Sequence, residues 1–260
     1  MTDAAPARRG LLVPSLAALI ALVVLLSLGT WQLERRAWKH ELIDTINQRL
    51  AGPPARLPDA LNRLDPLTLE FQRVTFRAAF QHDQEALVFT SGSALRPDVT
   101  GHGYWVFTPA RLSGGGTVVV NRGFVPEGRQ DPRTRPEGQV AGPVEIVGVL
   151  RPPEARSLFT PADNPSKNLW FVRDPVAMAA AKNWGPVAPF YVEQEAPLPP
   201  GGLPQSGTIT PRLPNNHLQY AITWYGLAAV LVAVFAAWLR GRRRERLAAS
   251  SGSVTRRPIP

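Results

Sequence analysis

The chain has 260 residues, with 29 Lys and Arg against 20 Asp and Glu, and no cysteine. The missing cysteines exclude a disulfide framework, a Cys-ligated zinc and a thiol-based metal carrier. The net charge of +9 is no nucleic-acid groove, because residues 1–10 and 240–260 hold nine Arg and two acids and so most of the excess.

In chain order, the first predicted element is a transmembrane helix over 11–33. No residue from Gly10 to Leu33 is charged, and Leu11 to Leu28 holds a dozen Leu, Ile and Val. That run exceeds the roughly 20 residues needed to cross about 30 Å of hydrocarbon. Ser27-Leu28-Gly29 weakly resembles a signal-peptide cleavage site, but the run is long for such a segment and the bulky Trp31 follows it. The helix is expected to continue past the membrane: Glu34 to Leu50 lacks Pro and Gly, and Trp38, Leu42, Ile46 and Arg49 fall at helical spacing. Gly52-Pro53-Pro54 stops it.

Strands are predicted next. Phe71 to Phe80 alternates Val74, Phe76, Ala78 and Phe80 against Arg73, Thr75, Arg77 and Ala79. Ala86 to Thr90 is a second. Tyr104 to Leu112 and Thr117 to Arg122 read as a hairpin joined by Ser113-Gly114-Gly115-Gly116. Glu127 to Pro143 is polar and rich in Gly and Pro, which predicts a mobile loop. Pro143 to Leu150 and Phe190 to Glu193 complete the strands. One short helix, Asp174 to Asn183, has Asp174 as N-cap and Pro175 at its first position.

A second transmembrane helix is predicted over 214–239, where the only ionisable groups are His217, Tyr220 and Tyr225. Two spans place both termini on one side. Arg8, Arg9 and the cluster Arg240, Arg242, Arg243, Arg244 and Arg246 outweigh Arg35, Arg36, Lys39 and Arg212, so the positive-inside rule puts the termini in the cytoplasm. The expected class is an α+β membrane protein, with two transmembrane helices flanking a mainly antiparallel-β extracytoplasmic domain, either an open sheet or a small barrel. The segments are a cytoplasmic tail over 1–10, spans over 11–33 and 214–239, the outer domain over 34–213 and a basic cytoplasmic tail over 240–260.

Enzyme signatures are sparse. The sequence has no nucleophile elbow, no phosphate-binding loop and no paired-histidine zinc motif, and its four histidines stand apart. Catalytic residues are therefore not assigned and the chain is expected not to be an enzyme. His217 is the most informative residue. Asn216 is placed to cap the second span, with Gln219 at its third helical position. His217, Tyr220, Ala221 and Trp224 then form one stripe. One reading makes them an interfacial histidine and an aromatic belt. The other presents a neutral imidazole to a planar, hydrophobic, metal-bearing ligand such as a haem, with aromatic neighbours from both helices, Trp31 and Trp38 included. Arg35, Arg36, Arg73 and Arg122 are candidates for pairing with the carboxylates of such a ligand, or ordinary solvated charges.

At these residues the chain resembles the surfeit locus protein one family. Three stretches carry the resemblance in order: Gly29-Thr30-Trp31-Gln32-Leu33-Glu34-Arg35-Arg36-Ala37-Trp38-Lys39, then Tyr104 to Pro109 followed by Val118 to Pro126, then Asn215 to Leu227. The resemblance implies an assembly factor for haem-copper cytochrome c oxidase, which binds haem a transiently and assists its insertion into subunit I. It maps the proposed haem-iron ligand onto His217 and matches the family's tryptophans at Trp31 and Trp38. With Tyr220, Trp224, Arg35 and Arg36 these form the expected cofactor site. The implied partners are subunit I, other assembly factors, membrane lipid and in principle haem a synthase, with no nucleic acid. The implied location is the bacterial cytoplasmic (inner) membrane. The Gly114-Gly115-Gly116 turn departs from the Asp-Gly type more usual there. A scaffold that never binds haem, and a two-span sensor, remain as alternatives; residues 240–260 are too short for a sensor's output module.

Overall fold

The structure, a computed structural model, describes residues 6–58, 60–211 and 213–252. The outer ends of both predicted tails (1–5 and 253–260), the flanking Arg212, and the side chains of Arg8, Arg9 and Arg246 lie outside the described residues. The described residues form three α-helices, α1 (Pro6–Ala51), α2 (Pro175–Lys182) and α3 (His217–Gly252), and eight strands. The eight strands are β1 (Ala55–Arg56), β2 (Arg73–Phe80), β3 (Ala86–Gly92), β4 (Thr100–Leu112), β5 (Thr117–Pro126), β6 (Pro143–Arg151), β7 (Leu169–Trp170) and β8 (Tyr191–Ala196). The chain forms two compact units, Met1–Leu42 with Pro214–Pro260, and Ile43–Leu213.

The first unit is an antiparallel helix pair. Both helices are long and apolar enough to cross a membrane, and almost none of their most apolar windows is buried. A soluble core helix would bury that surface. The less exposed positions of α1 recur at alternating steps of four and three: Leu11, Ser15, Ala18, Leu22, Leu25, Gly29, Gln32, Arg36 and Lys39. Those of α3 do the same at His217, Ala221, Trp224, Ala228, Leu231, Phe235 and Trp238. A seven-residue repeat of this kind makes a left-handed coiled-coil seam. Ser15, Ala18 and Leu22 meet Leu231 and Phe235 at one end; Thr30 meets Tyr225 in the middle; Lys39 reaches the Pro214 carbonyl at the other. Close approach in such a pair rests on small residues at the contact. Gly29, Ala221 and Ala228 are the buried members of the seam. A Cβ on Gly29 would stand 2.9 Å from the Tyr225 ring.

The second unit is a closed barrel with additions. The sheet runs β1-β2-β6-β8-β5-β4-β3-β7, and β2 also pairs with β4. That extra pairing closes β2, β6, β8, β5 and β4 into a ring of five strands. Within the ring only β5 and β8 run parallel. The sheet is therefore mainly antiparallel, as expected. Val74, Phe76 and Ala78 of β2 are buried, with Val118, Val120, Ile146, Leu150, Phe190 and Val192, in one cluster. A second cluster joins Trp105, Phe107, Val119 and Tyr191 to Trp170 and to Met178 of α2. β5 is buried along nearly its whole length because its alternate residues enter these two clusters. Ile46 and Leu50 of α1 pack with Phe71, Val149 and Ile209 in a third.

Each predicted helix and strand has a counterpart, with shifted ends, and α3 runs on past Leu239 to Gly252. β4 begins at Thr100 and β5 reaches Pro126. Asp174 caps α2, its carboxylate accepting from Val176 and Ala177 N–H at 3.0 Å each. The segment predicted as a mobile loop, Glu127 to Pro143, is pinned instead. It forms two 3-10 turns, Pro132–Thr134 and Pro136–Gly138, and between them Arg135 is buried to 3 % exposure against Glu85. A buried carboxylate needs cationic partners, and that demand fixes a segment whose composition reads as loose. α3 starts at His217, so Asn216 precedes it as expected, and the Asn216 carbonyl accepts from the Tyr220 N–H at 3.3 Å.

Candidate functional site

His217 opens α3 at a seam position, so its ring turns towards α1. Its Nδ1 lies 2.7 Å from Oε1 of Gln32. An amide oxygen only accepts, so Nδ1 carries the proton and donates it. The Nε2 lone pair is then the one left for a ligand; no hydrogen bond engages it among the described residues. This is how a second residue fixes the tautomer and orientation of a metal-binding imidazole. Gln32 lies within the first sequence stretch quoted above, but hydropathy gave it no role. The four-three spacing through Gly29, Gln32, Arg36 and Lys39 is the signal that identifies it.

The other expected site residues divide by position. Trp224 lies in the seam with His217, half-buried, and its indole Nε1 is buried without a hydrogen-bond partner. Both side-chain polar atoms of Asn215, two residues before His217, are likewise buried and unpaired. Unpaired buried polar atoms are costly, and these lie two residues before His217 and two helical turns after it. Tyr220, Trp31 and Trp38 are about half exposed, at 56 %, 52 % and 49 %. They therefore do not enter the seam with His217. The Arg35 guanidinium stacks 3.9 Å above the Trp38 ring centroid, a cation–π contact that holds the indole face. Arg36 occupies a half-buried seam position.

Two of the four candidate arginines are committed elsewhere. Arg73 donates Nε to Glu195 at 2.8 Å. Arg122 is 1 % exposed and donates to Glu85 at 2.9 Å, so it is a structural cation of the barrel. Its stretch, Arg122-Gly123-Phe124, is constrained further at Gly123. The φ there is +124°, and a Cβ would fall 2.3 Å from the Gln205 carbonyl.

Comparison with known proteins follows the three sequence stretches. Residues 19–229 match the family model described as the SURF1 family. A SURF1-like protein of Monosiga brevicollis is 38 % identical over 232 residues, 85 % of this chain and 85 % of the relative. Surfeit locus protein 1 of Xenopus tropicalis is 38 % identical over 80 % of this chain and 69 % of its own length. The Homo sapiens protein of the same name is 36 % identical over 84 % and 75 %.

Proposed function

The chain belongs to the SURF1 family, and from that premise we propose that it is a non-catalytic, membrane-anchored assembly factor for haem-copper cytochrome c oxidase that holds haem a on its way to subunit I. The observation that carries the haem reading is the His217–Gln32 hydrogen bond, which leaves Nε2 as the free base at the end of an apolar helix pair. The chemistry of these residues suits the group. His217 would supply the iron ligand and Arg35 and Arg36 charges for the propionates, while Tyr220, Trp31 and Trp38, exposed outside the seam, would offer rings to a macrocycle lying against the outer surface of the helix pair. When bound, haem a supplies a redox-active iron that is unsafe and poorly soluble when free, and a carrier sequesters it.

The protein's own part is binding and orientation. Gln32 holds the imidazole proton on Nδ1 and orients the ring. A single protein ligand suits a carrier, because a second would slow release. On this reading the spans run over 11–33 and 214–239, both termini lie in the cytoplasm of a bacterium, and the barrel faces outward beside subunit I and its other assembly factors.

The test is expression of the full chain together with haem a synthesis, followed by an absorption spectrum of the purified protein. Wild type should carry haem a. His217→Ala should lose at least tenfold of it, and Gln32→Leu should lower affinity by about tenfold, as removal of an orienting partner does. Unchanged haem content and Soret position in His217→Ala would sink the ligand assignment. A colourless wild type that still co-purifies with subunit I would favour the scaffold.

A further inference from the structure

The barrel unit carries a second polar site. A cavity of about 650 Å³ is lined by His82, Glu85, Gln130, Gln139, Asn168 and Lys182, among others. Its floor is a buried charge cluster. Glu85 Oε1 accepts from Arg122 Nη1 at 2.9 Å and from Arg135 Nη1 at 3.1 Å, and its Oε2 accepts from Arg135 Nη2. Gln139 Nε2 reaches Oε1 at 3.4 Å. Two guanidiniums thus share one carboxylate, both nearly inaccessible to solvent.

His82 adds no further charge. Its Nε2 lies 2.9 Å from the Val140 carbonyl and must donate, so Nδ1 accepts from Arg122 Nη1 at 3.1 Å. Burial also pushes the His82 pKa below its ordinary value, with Arg122 among the further causes. Burial lowers that of Arg122 to about 10, partly opposed by Glu85, and the guanidinium stays charged at neutral pH. The floor therefore holds a net positive charge. Lys182 adds another from the wall, its Nζ bonded to Asn168 Oδ1 at 3.1 Å. At the rim, Asp83 is exposed, and Arg133 is matched by Asp131 through hydrogen bonds of 2.6 to 3.1 Å. The charges around the cavity thus sum to a net positive, Asp83 included.

Gln130 and Gln139, two residues of the lining, hold unpaired acceptors just behind it. The side-chain oxygens of Gln130 and Gln139 are buried and take no hydrogen bond. A ligand that brings a carboxylate to Lys182 and, with a turn of either amide towards the cavity, a hydroxyl or ammonium donor to its oxygen satisfies both. Apolar wall comes from Leu87, Pro132, Pro136 and Pro165.

We propose that this cavity is a binding site for a small hydroxy- or amino-carboxylate, with Lys182 as the charged anchor and Gln130 and Gln139 as acceptors. The site lies wholly within the barrel unit and is independent of the haem reading.

The experiment is calorimetric titration of the full chain in detergent at low ionic strength with L-malate and, separately, L-glutamate; propionate, which lacks the donor, is the comparator. At least one of the two should saturate at one per chain and bind more tightly than propionate. Lys182→Gln should weaken it at least tenfold, the loss of about one charge-assisted hydrogen bond. Lys182→Arg, which keeps the charge, should restore binding to within about threefold, and circular dichroism checks that both variants fold. Failure of both acids to saturate, equal binding by Lys182→Gln, or propionate binding as tightly as either acid would overturn the proposal.

Discussion

Glu85 shows how one side chain constrains a distant stretch of sequence. It sits just before β3, yet it draws Arg122 from β5 and Arg135 from the segment between β5 and β6 into the interior. Removing one partner of a buried ion cluster costs more than the cluster contributes, because the charges left behind have lost their compensation. Glu85→Gln keeps the shape and removes the charge, leaving two buried guanidiniums. It should destabilise the barrel unit by about 3–5 kcal/mol, measured by chemical unfolding of the full chain with far-ultraviolet circular dichroism. No local pattern in the sequence pairs Glu85 with Arg135, 50 positions away. His217 was legible for the opposite reason. A histidine at the mouth of an otherwise uncharged apolar run stands out from hydropathy alone, whereas Gln32 acquires its role only when α1 and α3 lie side by side.

Among the elements, the helix pair is the most regular and the most sensitive at one point. Gly29 faces Tyr225 closely enough that any side chain collides with the ring, while Gly226 has open space where its Cβ would be. Gly29→Leu should therefore loosen the pair by about 1–3 kcal/mol, as overpacking does, and Gly226→Leu should not. The readout is the midpoint of unfolding of the solubilised chain in rising dodecyl sulfate. Equal midpoints for the two variants would show that the close approach at Gly29 carries no weight. Strand positions were readable from alternation in β2 and from the Gly-rich turn between β4 and β5, where the Leu112 N–H donates to the Gly116 carbonyl at 3.0 Å. β5 hid its two-sided role. A run of Val, Asn and Arg buried on both faces has no alternation to read.

At the scale of the whole molecule, the two membrane crossings proposed above put both termini on one side. Alkaline phosphatase fused within the turn at Gly115 should be active in a bacterial host, and a fluorescent protein fused after the basic C-terminal segment should fluoresce. The reverse pattern would place His217 on the cytoplasmic side and remove the basis for the orientation proposed here. The absence of cysteine makes single introduced thiols a second check by labelling from outside.

The sequence by itself determined the two apolar helices, the sheet-rich character of the segment between them and the family, because these depend on composition, local periodicity and ordered short stretches. Only the tertiary structure decided that the sheet closes through the β2–β4 pairing, that Glu127 to Pro143 is held by Arg135, and that Gln32 sets the proton on His217. Each of these joins residues from distant parts of the chain, and such pairings leave no periodic trace along it. They follow from which buried charge, donor or strand edge must find a partner once the surrounding apolar surface has been removed from water.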